Sequence, residues 1–352
     1  MRSDLHQPLS SLGLIFLFTT AGFLVSSLSI GRLLPRTGFR ASIVPAMVLY
    51  AFGALLIGIA PWLGVLLGGF LLGLAVGVVD GGLNLYSTLR MSGGIMQFLH
   101  GSWGVGTLFG PLLVTALLLS QMGWRIAFVT VAVLELALSV AVLLGRPWPS
   151  LPVPPRRVRG TGLKLSAPLL VGVLAFLVYT GAESAAGAWS YTVLTQARGF
   201  DPAPAGILVS AYWAGLTAGR VAAGVAGLRA SPRALLYAGV GLTVAASFLF
   251  WLGPGPLSTV IALPLLGLGL APIYPALMTL TTDRLPEARV PAAVGYQTAA
   301  AGFGGATLPT GAGVLMQTFG VAVFGPLLAV SSLLLACVNI YEARIAARGR
   351  SN

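Results

Sequence analysis

The chain has 352 residues, 57% of them hydrophobic and 8% charged, with a mean hydropathy of +0.93; a soluble domain carries about a quarter charged residues, so a soluble globular protein is excluded. The formal net charge of +12 comes from 20 Lys and Arg against 8 Asp and Glu, yet the arginines stand in short clusters between apolar runs, which reads as a topology signal and not as a nucleic-acid-binding surface. Cys337 is the single cysteine, which leaves no disulfide framework and no CxxC metal pattern.

Crossing about 30 Å of hydrocarbon takes about 20 mostly apolar residues. Eleven runs qualify, at residues 10–30, 41–60, 62–88, 95–119, 124–145, 167–194, 203–222, 234–252, 257–281, 290–316 and 321–345. The first continues to Gly31-Arg32 without a small-residue cleavage site and has only Arg2 as a preceding basic residue, so it is read as a span and not as a signal peptide. Between the fifth and sixth runs, residues 146–166 carry five prolines and a basic cluster, the mark of an extended linker. The predicted organisation is an all-α polytopic membrane protein with a helix bundle over 1–145, a linker over 146–166 and a six-helix bundle over 167–352. When loops are assigned to alternate sides, seventeen of the 20 basic residues, Arg220 among them, fall on one side and Arg2, Arg125 and Arg198 on the other. The positive-inside rule makes the first side cytoplasmic, together with the C-terminus, and places the N-terminus outside a cell (inner) membrane.

Ionisable groups within the bilayer cost about 2.5–3.5 kcal/mol each on insertion scales, so those that remain face a cavity or a partner. Asp80 lies late in the third span, and Asn84 at i+4 shares its helical face. A carboxylate there is a candidate proton carrier, since desolvation favours its neutral form; the alternative is a neutral interhelical tether. Glu183 is mid-span in the sixth run, with Tyr179, Thr180, Gly187 and Ser190 on its face. It is read either as a proton or substrate site or as a tether. Glu135 sits in the middle of the fifth run.

His100, Trp103 and Thr107 place an imidazole, an indole and a hydroxyl on one stripe. That set suits a sugar, which stacks an apolar face on an aromatic ring, and it also suits a flat cation. The alternative for His100 is a residue at the edge of its span. Further substrate-binding candidates are Asn84, Trp189, Tyr212, Tyr274 and Gln297, followed by Trp213 and Tyr296, whereas Trp62, Trp124 and Trp251 fit an interfacial belt. The glycine-rich stretch 301–305 follows no strand and reads as a close-packing surface, not as a dinucleotide loop.

Short repeats cross the linker: Gly31-Arg32 with Gly219-Arg220, Leu72-Gly73-Leu74 with Leu266-Gly267-Leu268, and Gly106-Thr107-Leu108 with Ala306-Thr307-Leu308. They pair the first span with the second span of the latter half. This arrangement resembles the major facilitator superfamily, built as six plus six helices around a cytoplasmic central loop, here reduced to five plus six. The family's loop G-x-x-x-D-R-x-G-R-R is matched at Gly31, Arg36, Gly38 and Arg40, with Pro35 in the acidic place and Phe39 in the place of an arginine. Asp80-Gly81-Gly82-Leu83-Asn84 is similar to the E-T-A-A-N segment of the fucose-proton symporter subfamily, and residues 100–106 followed by Gly110-Pro111 are similar to the fifth helix of that subfamily.

Protonation of Asp80 or Glu183 would neutralise a buried charge and so link proton movement to substrate movement; the resemblance implies alternating access and a peripheral, structural place for Glu135. It also implies that the subfamily's first helix, with its acidic coupling residue, is missing, for which a start codon set too far downstream is the favoured explanation. The expected function is proton-coupled symport of a sugar by a monomer in the lipid bilayer, and the alternative is proton-coupled efflux of a drug or metabolite. No cofactor, metal or nucleic-acid partner is expected. With no nucleophile-base pair, HExxH or Walker A sequence, no enzyme activity is expected.

Overall fold

The computed structural model describes Leu5 and residues 12–146, 148–149, 166–227, 229–253 and 255–348. Side chains at 12–13, 107–108, 111–112, 114–115, 118–119, 343 and 345–348 lie outside that description. The first half supplies α1 (Leu12–Thr37), α2 (Phe39–Ile59), α3 (Trp62–Arg90), α4 (Gly93–Leu119) and α5 (Gly123–Leu144). The second supplies α6 (Ala167–Gln196), α7 (Pro202–Ala226), α8 (Pro232–Leu252), α9 (Gly255–Leu270), α10 (Ile273–Thr279), the single turn α11 (Thr281–Arg284), α12 (Val290–Phe319) and α13 (Phe324–Arg348). There is no strand among the described residues. Each expected crossing falls on one long helix or on the α9–α10 pair, and eight of these segments meet both the length and the hydropathy of a span.

Local chemistry sets the helix ends. Pro168, Pro202 and Pro232 stand in the first turns of α6, α7 and α8, where the missing N–H costs nothing. Ser231 caps α8 by accepting from the Ala234 N–H at 3.2 Å. The expected single span over 257–281 is instead broken: α9 stops at Leu270 and α10 restarts at Ile273, because Pro272 cannot continue the ladder. The expected linker lies outside the described residues at 147 and 150–165. Just before it, Arg40 donates to the carbonyl of Gly145, and Trp148 stacks on Phe39 with ring centroids 4.4 Å apart.

The described chain packs as two compact units. One holds Met1–Arg90, Gly106–Leu163 and Glu287–Ala299; the other holds Met91–Val105, Lys164–Pro286 and Ala300–Asn352. In the first, α3 packs between α1 and α2, and α2 against α5. In the second, α9 packs between α7 and α8, and α13 against α6 and α8. Small residues let these backbones touch, as membrane helices require. A Cβ on Gly73 would lie 1.9 Å from the Thr19 carbonyl oxygen, and one on Gly304, in the predicted close-packing stretch, 2.1 Å from that of Leu177.

Candidate substrate and proton site

The second unit builds a buried polar cluster outward from α6. Tyr179 and Glu183, one turn apart, both point into the core, and the Tyr179 hydroxyl donates to Glu183 Oε2. On α7, Arg220 Nη2 lies 3.2 Å from Glu183 Oε2 and 3.5 Å from Oε1, with the two side chains 4% and 10% exposed. Tyr212, two turns earlier on the same buried face of α7, donates from its hydroxyl to the Glu183 backbone carbonyl at 2.9 Å. Glu183 is therefore held through both its carboxylate and its main chain. A charge-assisted bond of this kind is strong where water is excluded, and either charge left alone there would be costly.

α4 closes over the cation. Arg220 Nη1 donates to the His100 backbone carbonyl at 3.3 Å, and the guanidinium stands 5.3 Å above the Trp103 ring. The His100 ring meets Tyr274 at 4.6 Å, and Tyr274 in turn meets Phe176 at 4.7 Å and Tyr179 at 5.9 Å. Tyr274 reaches this position because the chain breaks at Pro272, at the start of α10. Trp213 lies 6.2 Å from Trp103 and 5.0 Å from Tyr212. Glu183, His100, Trp103, Tyr212 and Tyr274 thus form one constellation. Trp103 remains 49% exposed, so the cluster has an accessible aromatic margin.

The first unit holds the other acid. Asn84 Nδ2 donates to Asp80 Oδ1 at 3.1 Å, with Asn84 buried and Asp80 half-buried. Among the described residues no cation stands within ion-pair distance of Asp80. Glu135 is half-buried on α5. Gln297 is buried in the first unit. Trp189 donates its indole N–H to the Pro309 carbonyl at 2.8 Å and so braces α6 on α12. Tyr296 is exposed, and the Thr107 side chain lies outside the described ones.

The expected basic loop is helical except at Gly38: Gly31 and Arg36 lie in α1 and Arg40 in α2. Gly38 adopts φ 84°, a region that favours glycine, and so turns α1 into α2. A Cβ on Gly31 would stand 2.2 Å from the Pro291 carbonyl oxygen, so α1 meets the start of α12 backbone to backbone. Arg40 ties α2 to the end of α5 as described above, whereas Arg36 is exposed in the last turn of α1.

Arg220 is the residue whose role sequence reasoning missed. It lies inside α7, 3% exposed and turned into the protein; setting it aside leaves sixteen basic residues on the side assigned to the cytoplasm. Its register was a usable signal, since it falls eight residues after Tyr212. A second buried ion pair also went unnoticed, between Arg284 Nε and Glu342 Oε1 at 2.8 Å. So did Gln97, buried on α4 and donating to the Pro272 carbonyl at 3.1 Å. Among the described residues no group of three His, Cys, Asp or Glu is placed to hold a metal.

The Major Facilitator Superfamily model matches residues 1–172 and again 171–347, and the chain belongs to that family of transporters. It is not an enzyme. Among solved structures, the major facilitator transporter FucP in its outward conformation is 17% identical over 97% of this chain and 90% of its own, with a TM-score of 0.80. A variant of the E. coli fucose:proton symporter FucP gives 18% identity, 97% and 92% coverage and a TM-score of 0.81. The human organic anion transporter MFSD10 (TETRAN) gives 17%, 96% and 87%, and 0.75. At such identities the likeness is one of fold. No curated protein matches the chain in sequence.

Proposed function

We propose that the protein is a proton-coupled symporter of a polyhydroxylated, sugar-type solute, working by alternating access. The observation that carries this reading is the buried Glu183–Arg220 pair set against Trp103 and His100. Asp80 and Glu183 are the proton carriers. Asp80, with no cation beside it among the described residues, costs free energy as an anion in a dry environment, so a proton eases its passage through the occluded state; Glu183, paired with Arg220, takes up a proton only as the solute takes its place on the guanidinium. Tyr212, Tyr274 and Trp189 line the solute site of the second unit with Trp103 and His100, and the aromatic rings offer faces on which a sugar stacks. The likeness to a fucose:proton symporter supports the solute class.

Gly38 is the hinge between α1 and α2, with Gly31 and Arg36 in the last turns of α1 and Arg40 in the first turn of α2 supporting it. The sixteen-to-three distribution of basic residues favours a cytoplasmic C-terminus in a cell (inner) membrane. The protein acts as a monomer.

The test is uptake into proteoliposomes under an imposed inward proton gradient, with labelled hexoses, hexuronates and a lipophilic cation in the panel. Symport requires gradient-dependent accumulation of a sugar-type solute that Asp80→Asn abolishes. Expulsion of the cation, with no sugar-type accumulation, would instead make the protein an efflux antiporter.

A further inference from the structure

We infer that the solute is a sugar acid, whose carboxylate takes the place of Glu183 on Arg220 when Glu183 is protonated; this rests on the symport reading above. The argument is one of charge balance at a buried site. Empty, the site holds the Glu183 carboxylate and the Arg220 guanidinium within 3.2 Å of each other and is neutral. A proton on Glu183 alone would leave Arg220 as an unbalanced buried cation, and a bound carboxylate alone would add an unbalanced anion. Both are expensive where water is excluded. With proton and carboxylate present together the site is neutral again: Glu183 is a neutral acid, and the guanidinium faces the carboxylate of the solute. The two neutral states are the ones in which the carrier can reorient, which couples one proton to one anion at this pair. A neutral sugar offers no such balance, because its binding leaves the cost of protonating Glu183 unchanged.

The donors fit the same reading. Arg220 commits Nη2 to Glu183 and Nη1 to a main-chain carbonyl, while its buried Nε–H has no hydrogen-bond partner. A guanidinium offers paired N–H groups to a carboxylate in fork geometry, so an orphaned Nε beside an occupied Nη2 is half of such a fork. Thr180, one turn before Glu183 on the same helix face, has a buried hydroxyl that is likewise unpartnered and suited to a sugar hydroxyl. Trp103 lies against the guanidinium with half its surface exposed and supplies the stacking face at the margin where a solute arrives.

The experiment pairs uptake with binding. In proteoliposomes under an inward proton gradient, D-glucuronate is expected to accumulate and D-glucose is not. In detergent, calorimetric titration of the wild type with glucuronate is expected to tighten as pH falls. Glu183→Gln, which presents a neutral side chain at every pH, is expected to bind glucuronate with no pH dependence and to lose gradient-driven accumulation. A merely structural Glu183 would not produce that pH-independent binding. Because Arg220→Gln alone leaves a buried carboxylate without its partner, the double variant Glu183→Gln/Arg220→Gln keeps the test informative. It is expected to melt near the wild type and to bind glucuronate about tenfold or more weakly, as for loss of a charged hydrogen bond. Accumulation of glucose but not glucuronate, or glucuronate binding that survives in the double variant, overturns this inference and leaves symport standing. Accumulation of neither overturns both.

Discussion

Glu183 Oε2 on α6 lies 3.2 Å from Arg220 Nη2 on α7, and the Tyr212 hydroxyl of α7 bonds the main-chain carbonyl of the same glutamate. The pair therefore locks α6 to α7 as well as holding charge. Removing one partner leaves the other buried and alone, a loss of about 3–5 kcal/mol, whereas replacing both together leaves no unpaired charge. Thermal melting in detergent should show Arg220→Gln far below the wild type and the double variant Glu183→Gln/Arg220→Gln close to it. Equal destabilisation of the single and double variants would mean that packing of the side chains, and not their charge, holds the helices.

In the first unit, Asp80 has Asn84 Nδ2 3.1 Å from its carboxylate and no cation within ion-pair distance among the described residues. As a proton carrier it should be needed for concentrative uptake but not for exchange of solute across a membrane without a gradient. Asp80→Asn is expected to abolish accumulation and keep counterflow, measured in the same proteoliposomes. Loss of both would assign Asp80 to solute binding or to folding.

The legibility of this site follows a physical boundary. Relationships within one helix were readable: the i+4 spacing of Asp80 and Asn84 becomes a hydrogen bond, and the face shared by Tyr179 and Glu183 becomes another. The family and the helical architecture were likewise readable, because apolar run length and loop residues are local properties. The partner of Glu183 was not. Arg220 stands 37 residues away on the next helix, and an arginine near the end of an apolar run looks the same whether it turns inward to a carboxylate or outward to a loop. The break at Pro272 that presents Tyr274 to His100 was hidden for a related reason, since an apolar run stays apolar whether or not its helix is continuous.

Gly31 gives a mechanical prediction. A side chain there would collide with the Pro291 carbonyl, where a Cβ would be 2.2 Å away. Backbone cannot yield as a flexible side chain does, so Gly31→Val should disfavour the conformation in which α1 meets the start of α12. Uptake is expected to fall about tenfold, the effect of about 1.4 kcal/mol, while gel filtration still shows a folded protein. Unchanged uptake would remove this contact from the transport cycle.

Two of the three arginines assigned to the outer side cap helices. Arg125 Nη1 donates to the carbonyls of Gly58 and Ala60 at the end of α2, at 3.2 and 3.3 Å, and Arg198 Nη1 donates to Thr259 Oγ1 at 2.6 Å while Nη2 reaches the Phe250 carbonyl at the end of α8. Positive charge at a helix C-terminus is stabilising. Burial lowers the pKa of Arg198 from its usual value, yet an arginine stays protonated near neutral pH, so both caps should persist there. Arg125→Met and Arg198→Met should each cost about 1–2 kcal/mol in stability, read as lower melting temperatures in detergent, with the direction of transport unaffected.

The most direct measurement of the central claim is the external pH of a lightly buffered suspension of wild-type proteoliposomes on addition of glucuronate or a hexose. Symport driven through the buried carboxylates makes the medium more alkaline as protons enter with the solute, and the signal disappears in Asp80→Asn and in Glu183→Gln. Acidification on solute entry, or alkalinisation that persists in both variants, would contradict the account.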